Sequence, residues 1–310
     1  MEASSVSPYR RWRRPAVTAL LLALGESLCR TRGTSQGIRT DQVQRWRERI
    51  EVDKPLGQRS RLRLAFASDL HAGRMTPTGT IASACDALME AAPDLILLGG
   101  DFVCSLSEEL DLILPSLRRL RAPCGVFAVM GNHDHCASAA TITAQLERSG
   151  IRVLRNRSEQ LQEPFGNVLL VGLDDHLGGE ARPGDARWDA NCATILLIHQ
   201  PSGLLDAGER PFDLALAGHT HGGQITLPGG IAPLAASGPL SRRYQAGRYG
   251  LAGGRVLCVS VGVGHSLLPF RLGPRSEVLI IDLVGTAAAN PISPPGAPGP
   301  APKTPPARLR

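Results

Sequence analysis

Five short apolar runs in this chain each end in Asp, Asn or His. RLRLAFAS, residues 61–68, runs into Asp69-Leu70-His71, and Leu95 to Leu98 runs into Gly99-Gly100-Asp101. Val126 to Met130 is followed by Gly131-Asn132-His133-Asp134, Ile195 to Ile198 by His199, and Leu214 to Ala217 by Gly218-His219-Thr220-His221. Taken singly, each reads as a turn or a helix cap. Together, in order, they spend five of the eight histidines at one kind of position. In open α/β sheets the C-terminal strand edge is where ligands sit, so Asp69, His71, Asp101, Asn132, His199, His219 and His221 are expected to converge on one crevice. Glycines beside them let the backbone turn sharply and come close to a bound ion.

The intervening segments fit that edge. Pro77 to Glu90 has helical apolar spacing, as do Leu106 to Leu120 and the stretch after Met130 through about Gly150. The resulting β-α-β-α-β order implies parallel strands with right-handed crossovers. Past Gly150 the runs crowd together at Val168–Val171, Thr194–Ile198, Leu214–Ala217, Gln224–Leu227, Val256–Val261 and Val278–Leu283. Helix is sparser there, which predicts a second, mixed sheet.

Both ends differ from this body. Arg10, Arg11, Arg13 and Arg14 precede the apolar run Ala16 to Leu24 and small residues at Gly25 and Ser27. Three readings stand: an export signal, an interfacial helix on a membrane surface, or a leader without an address. No apolar run approaches the roughly 20 residues of a spanning helix. The domain plan is a basic leader over 1–60, a catalytic domain over 61–286 and a disordered Pro-rich tail over 287–310. The chain's charge of +6 belongs to the ends. Residues 1–63 carry a surplus of eight positive charges and residues 291–310 of three, leaving the middle at −5. Duplex binding normally draws on Lys and Arg, so no nucleic-acid partner is expected. The seven scattered cysteines form no C-x-x-C and read as reduced, mostly buried small residues.

Mixed oxygen and nitrogen ligands without thiolate suit Mn, Fe or Zn. Seven are too many for one ion and suit two, with one carboxylate bridging. Two divalent ions bring +4 and two carboxylates return −2, so the site draws an anionic phosphate. The ions can clamp its oxygens and lower the pKa of an attacking water.

D-x-H, G-G-D, G-N-H-D, a lone His and G-H-T-H in this order resemble the calcineurin-like metallophosphoesterases, over about Arg61 to Val284. Gly172-Leu173-Asp174-Asp175, the run His219–Gln224 and G-V-G-H-S-L-L-P-F-R before Glu277 are similar to the YkuE/YaeI-type branch. That branch includes membrane-associated phosphodiesterases, and relatives hydrolyse UDP-2,3-diacylglucosamine. The resemblance implies a four-layer α-β-β-α sandwich of two mixed sheets. It places Asp69, His71, Asp101 and His221 on one metal, and Asp101, Asn132, His199 and His219 on the other. His133 faces the leaving group, with Asp134 as its orienting partner. Read from the residues alone, Arg74, Arg243 and Arg271 are open to contact with a substrate phosphate or to a solvated surface role, with Arg74 and Arg271 the substrate-binding candidates, while His135, His176 and His265 read as surface or supporting residues. The segment after G-N-H-D departs from the branch at His135-Cys136, and Arg271 is followed by Pro274-Arg275-Ser276-Glu277 where the branch reads R…PE.

The function expected is metal-dependent hydrolysis of a phosphodiester or pyrophosphate, on a lipid- or nucleotide-linked envelope substrate, by an exported or membrane-associated protein or else a cytoplasmic one. A phosphomonoesterase, a cyclic-nucleotide phosphodiesterase and a nuclease are the enzymatic alternatives. A metal-free scaffold is the alternative of another class. Substrate choice is expected in the loops Asp174–Gly184 and Pro228–Tyr249.

Overall fold

The computed structural model describes residues 42–228, 232–233 and 236–286, together with 20, 23–25 and 27–29. Most of the leader segment and all of the Pro-rich tail lie outside the described residues. Among the described residues the body contains twelve strands in two six-stranded mixed sheets.

The first sheet has the order β1-β12-β2-β3-β4-β5, comprising Gln44–Pro55, Glu277–Thr286, Arg61–Ala67, Leu95–Leu98, Val126–Ala128 and Arg152–Val153. Strands β2 to β5 run parallel, and β12 enters between β1 and β2, antiparallel to β2. The second sheet has the order β10-β11-β9-β8-β7-β6, comprising Gly247–Gly250, Val256–Val259, Leu214–Ala217, Ala193–Leu197, Val168–Gly172 and Arg157–Gln160. Its four inner strands are parallel and both edges antiparallel.

Side-chain alternation explains the continuous apolar runs. Leu62, Leu64 and Phe66 of β2 enter one buried cluster with Ile195 and Leu197 of β8 and Leu214 and Leu216 of β9. Ala65 and Ala67 point the other way, into a cluster shared with Ile81, Ala84, Cys85 and Leu88 of helix α1, Thr78–Glu90. On the second sheet Ala215 and Ala217 join Phe212 in a third cluster, flanked by Trp188, Leu204 and Tyr244. Strands buried on both faces have no polar face to show, so they read as unbroken apolar runs. The expected α-β-β-α class is the fold of the protein. Its outer layer on the second sheet is thin, with loops and the short helix Gly203–Ala207 standing where long helices cover the first.

Strand β1 begins upstream of the boundary drawn at residue 61. It pairs with β12 from Gln44↔Glu277 to Glu51↔Val284, so the first sheet reaches back into the segment read as a leader. The sequence QRWRERIEVDKP buries only Ile50 and Val52. Charges at alternate positions disguise an edge strand as part of a basic segment. The strand expected at Gln224–Leu227 is also reduced, to isolated bridges at Ile225 and Leu227, the former paired with Leu272.

Candidate metal centre

Asp69 and His71 follow β2, Asp101 follows β3, and Asn132 and His133 open the helix Asn132–Ala137 after β4. His199 follows β8, and His219 and His221 follow β9. The two sheets therefore contribute to one place from their C-terminal strand edges. The backbone there is unusual: Asp69, His71, Asp101, His219 and His221 all have positive φ, between 43° and 71°. Such conformations cost on the order of 1–3 kcal/mol each for residues with a Cβ, and they gather where a site requires them. The neighbouring loop after β3 holds two of them in place, with Asp69 N–H donating to Gly100 O (2.9 Å) and His71 N–H to Asp101 O (3.0 Å). Two glycines permit the close approach. A Cβ on Gly131 would stand 2.2 Å from Asp101 Oδ1, and one on Gly218 2.3 Å from Asp69 Oδ2.

The side chains fall into two groups, Asp69 with His71 and His221, and Asp101 with His199 and His219. All six are buried. Asp101 Oδ2 stands between the groups, 3.6 Å from His71 Nε2 and 3.3 Å from His199 Nε2. Asn132 Oδ1 lies 3.2 Å from His199 Nε2. His71 Nε2 and His221 Nε2 face each other at 3.0 Å, and His199 Nε2 and His219 Nδ1 at 3.2 Å. About 3 Å is the separation of two nitrogens that share one ion at bonds of about 2.0–2.1 Å. His199 Nδ1 is set against Gly99 O at 2.7 Å and His219 Nε2 against Ser237 O at 2.9 Å. These outer contacts orient the opposite nitrogen inward, as they do for metal-bound imidazoles.

Burial, first, drives His71 to a pKa of about 3 and His219 to about 4, reinforced by neighbouring histidines. Both are thus neutral imidazoles, the form that ligates an ion. His199 goes the other way: burial lowers its pKa, and the facing carboxylate of Asp101 more than reverses that. Burial likewise pushes Asp101 up, and His199 and His133 outweigh it, so Asp101 is held ionised. Asp69 is raised to about 6 by burial, against the pull of His199. Two buried carboxylates brought this close are costly without compensating positive charge; divalent ions fit this donor set.

His133 does not meet Asp134. Its Nδ1 lies 2.6 Å from the carbonyl oxygen of Cys104, and its backbone N–H donates to Asp101 Oδ1 at 2.8 Å. Asp134 instead accepts the N–H groups of Gly131, Asp101 and Phe102 at 2.8–2.9 Å. The expected side-chain pair is thus replaced by a carboxylate that fixes the β3 and β4 loops and by a backbone acceptor for the imidazole. No side-chain pattern in the sequence signals that acceptor. Arg271 lies at the site, with Nη2 3.3 Å from His221 Nδ1 and donating to Gly264 O at 2.5 Å. Arg74 is exposed on the loop after His71. His135 Nε2 lies 2.7 Å from Asp174 Oδ1, and Arg155 Nε donates to Asp174 Oδ2 at 2.8 Å. These contacts tie the loop after β7 to the helix that carries Asn132. His176 pairs with Asp206 and His265 with Met75 O, both apart from the two ligand groups. Of the cysteines, only Cys85, Cys192 and Cys258 are buried, while Cys136 is exposed.

The fold and the centre define a class: a two-sheet α/β protein whose strand ends gather carboxylates and imidazoles for divalent ions. The family model for calcineurin-like phosphoesterases matches residues 62–223. The phosphodiesterase YaeI of Escherichia coli strain K12 is 36% identical over 227 residues, 72% of this chain and 82% of the relative. The uncharacterized metallophosphoesterase YkuE of Bacillus subtilis strain 168 is 33% identical over 203 residues, 64% of this chain and 70% of the relative. Among solved structures, a 5′-nucleotidase precursor from Thermus thermophilus has a TM-score of 0.41 at 17% identity, over 72% of this chain and 55% of that one. The chain belongs to the calcineurin-like phosphoesterases. It is a metal-dependent phosphoric ester hydrolase of the group that includes YaeI and YkuE.

Proposed function

We propose that the protein is a dinuclear phosphodiesterase or pyrophosphatase acting on a lipid- or nucleotide-linked phosphate, with UDP-2,3-diacylglucosamine as the leading substrate. The observation that carries this reading is the place of Asp101, whose Oδ2 lies within 3.6 Å of His71 on one side and 3.3 Å of His199 on the other. Asp69, His71, Asp101 and His221 would hold one ion, and Asp101, Asn132, His199 and His219 the second. When bound, the ions supply Lewis acidity toward phosphoryl oxygens and a water of lowered pKa. His133, oriented by the Cys104 carbonyl, hands a proton to the departing oxygen. Arg271, beside His221, meets a phosphate oxygen, and Arg74 extends the positive rim. The name of YaeI favours a diester substrate.

The surface beside the centre supports a lipid-linked substrate. Thr226 N–H donates to Leu272 O, and Gln224 reaches Leu268 O and Phe270 O, so the segments after His221 and around Arg271 form one flap. Leu227, Phe270 and Leu272 on that flap are 50%, 37% and 57% exposed. The helical residue Gly25 packs on the same side, where an added Cβ would stand 2.5 Å from Leu267 O and 2.9 Å from Met75 Cε. Leu20 and Leu24, from the same segment, are exposed. Apolar groups rimmed by arginines suit a membrane surface or an acyl chain. Among the described residues no helix is long and apolar enough to cross a membrane.

The test is hydrolysis of bis-p-nitrophenyl phosphate against p-nitrophenyl phosphate with Mn²⁺, with and without chelator, followed by UDP-2,3-diacylglucosamine. Chelator-sensitive diester cleavage well above monoester cleavage is expected. Monoester preference would replace this reading with a phosphatase.

A further inference from the structure

A second constellation adjoins the centre at His71. One ring nitrogen of His71, one of His133 and the Sγ of Cys104 all lie within 4.8 Å of one another. His71 is fully buried, and its Nε2 faces Asp69, Asp101 and His221. Its Nδ1 is buried and has no hydrogen-bond partner. A buried polar atom left unpaired costs roughly 1–3 kcal/mol, so that nitrogen marks a position made for something. We propose that Cys104, His71 and His133 form a further cation site for a soft divalent ion of the zinc class, and that filling it inhibits the enzyme.

The backbone that carries Cys104 is fixed in advance. Cys104 N–H donates to Ala72 O at 2.9 Å, and Ala72 and Val103 bridge as neighbouring strands do, so the Cys104 loop is locked to the chain just after His71. The carboxylate of Glu109 accepts the N–H groups of Cys104, Ser105 and Leu106 at 3.0, 2.7 and 3.0 Å. A tetrahedral zinc with bonds of about 2.0–2.3 Å holds its ligands roughly 3.3–3.8 Å apart, and side-chain rotation of Cys104 and His133 supplies the remaining closure. A thiolate with two imidazoles prefers zinc or cobalt to manganese. The centre itself has no sulfur ligand, so its hard and borderline donors and this trio sort ions differently. On binding, the Cys104 thiol and the Nδ1–H of His71 each give up a proton to solvent, so that the sulfur and a bridging imidazolate nitrogen take the ion. His133 then no longer reaches the leaving group, and His71 is drawn from its neighbours. The inhibitory consequence rests on the role proposed above for His133; the binding of the ion does not.

Two readouts separate the claims. Stepwise Co²⁺ titration of the full chain is expected to give, at the last equivalent, a thiolate-to-cobalt charge-transfer band that Cys104→Ser lacks. Absence of that band in the unmodified protein overturns the proposal, as does its persistence in Cys104→Ser. Without any variant, peptide mapping after thiol alkylation is expected to show Cys104 protected by added Zn²⁺; equal labelling with and without zinc also overturns it. In the Mn²⁺-loaded enzyme, the zinc concentration that halves diester turnover is expected to rise at least about tenfold in Cys104→Ser, in line with losses of supporting metal contacts. A protein inactive on every phosphate ester would refute the proposed function, yet the cobalt band would still decide the site.

Discussion

At the scale of single residues, Asp101 and His133 separate holding an ion from moving a proton. Asp101→Asn keeps the volume and removes the charge shared between two groups of ligands. It is expected to lose at least one ion by elemental analysis; unchanged occupancy of two would exclude a bridging role. His133→Ala is expected to retain its metals and to lose about 10²–10⁴-fold in turnover, the usual worth of a proton-transfer group. Full activity would remove His133 from the chemistry. The candidate ligands were legible in the sequence because Asp, Asn and His fall at strand ends. The left-handed backbone of Asp69, His71, Asp101, His219 and His221 was not, since nothing in those residue types requires it.

At the scale of elements, β1 is the clearest gap between pattern and structure. Ile50 is fully buried in the cluster between the sheets, and Ile50→Ala is expected to cost about 2–5 kcal/mol in chemical denaturation. A loss under about 0.5 kcal/mol, the range of ordinary surface changes, would show that β1 is not part of the folded body. Strands β2, β3, β8 and β9 were legible as apolar runs because they are covered on both faces. β1, β6 and β10 were not, because edge strands expose charge or polar residues on one side. Strand β12 also carries Asp282, opposite Arg63 on β2, with Arg63 Nε donating to Asp282 Oδ1 at 2.8 Å. The hydrogen bond from Arg63, and then its charge, hold the Asp282 carboxyl below its usual range. A depressed carboxylate stabilises the fold above its unfolded pKa and loses that contribution as pH falls through the folded one. Asp282→Asn is therefore expected to destabilise the protein by no more than about 1 kcal/mol near neutral pH, the pair being partly exposed, with the gap to the parent closing in acid. A difference that widened as pH fell through the carboxylate range would reverse the assignment.

At the scale of the whole molecule, charge and metal both act on more than the site. The middle of the chain is net negative while the ends are strongly basic, so any attraction to an anionic surface belongs to the ends. Removing divalent ions is expected to lower the melting temperature. Ligand present at about 100 times its dissociation constant stabilises a fold by about 2.7 kcal/mol. A melting temperature unmoved by chelator would mean that the buried carboxylates are satisfied without a cation.

The split of the ligands between the two sheets carries a consequence for how the gene could be divided. Strands β2 to β5 end by Val153, and the second sheet begins at Arg157. A cut near Arg155 leaves Asp69, His71, Asp101 and Asn132 on one polypeptide, and His199, His219 and His221 on the other, together with β12, which must thread back between β1 and β2. Neither polypeptide would own a complete centre, and the returning strand gives each a reason to find its counterpart. Co-expressed, the two are expected to regain hydrolysis that either alone lacks, which would make the enzyme a split reporter with metal as its co-signal.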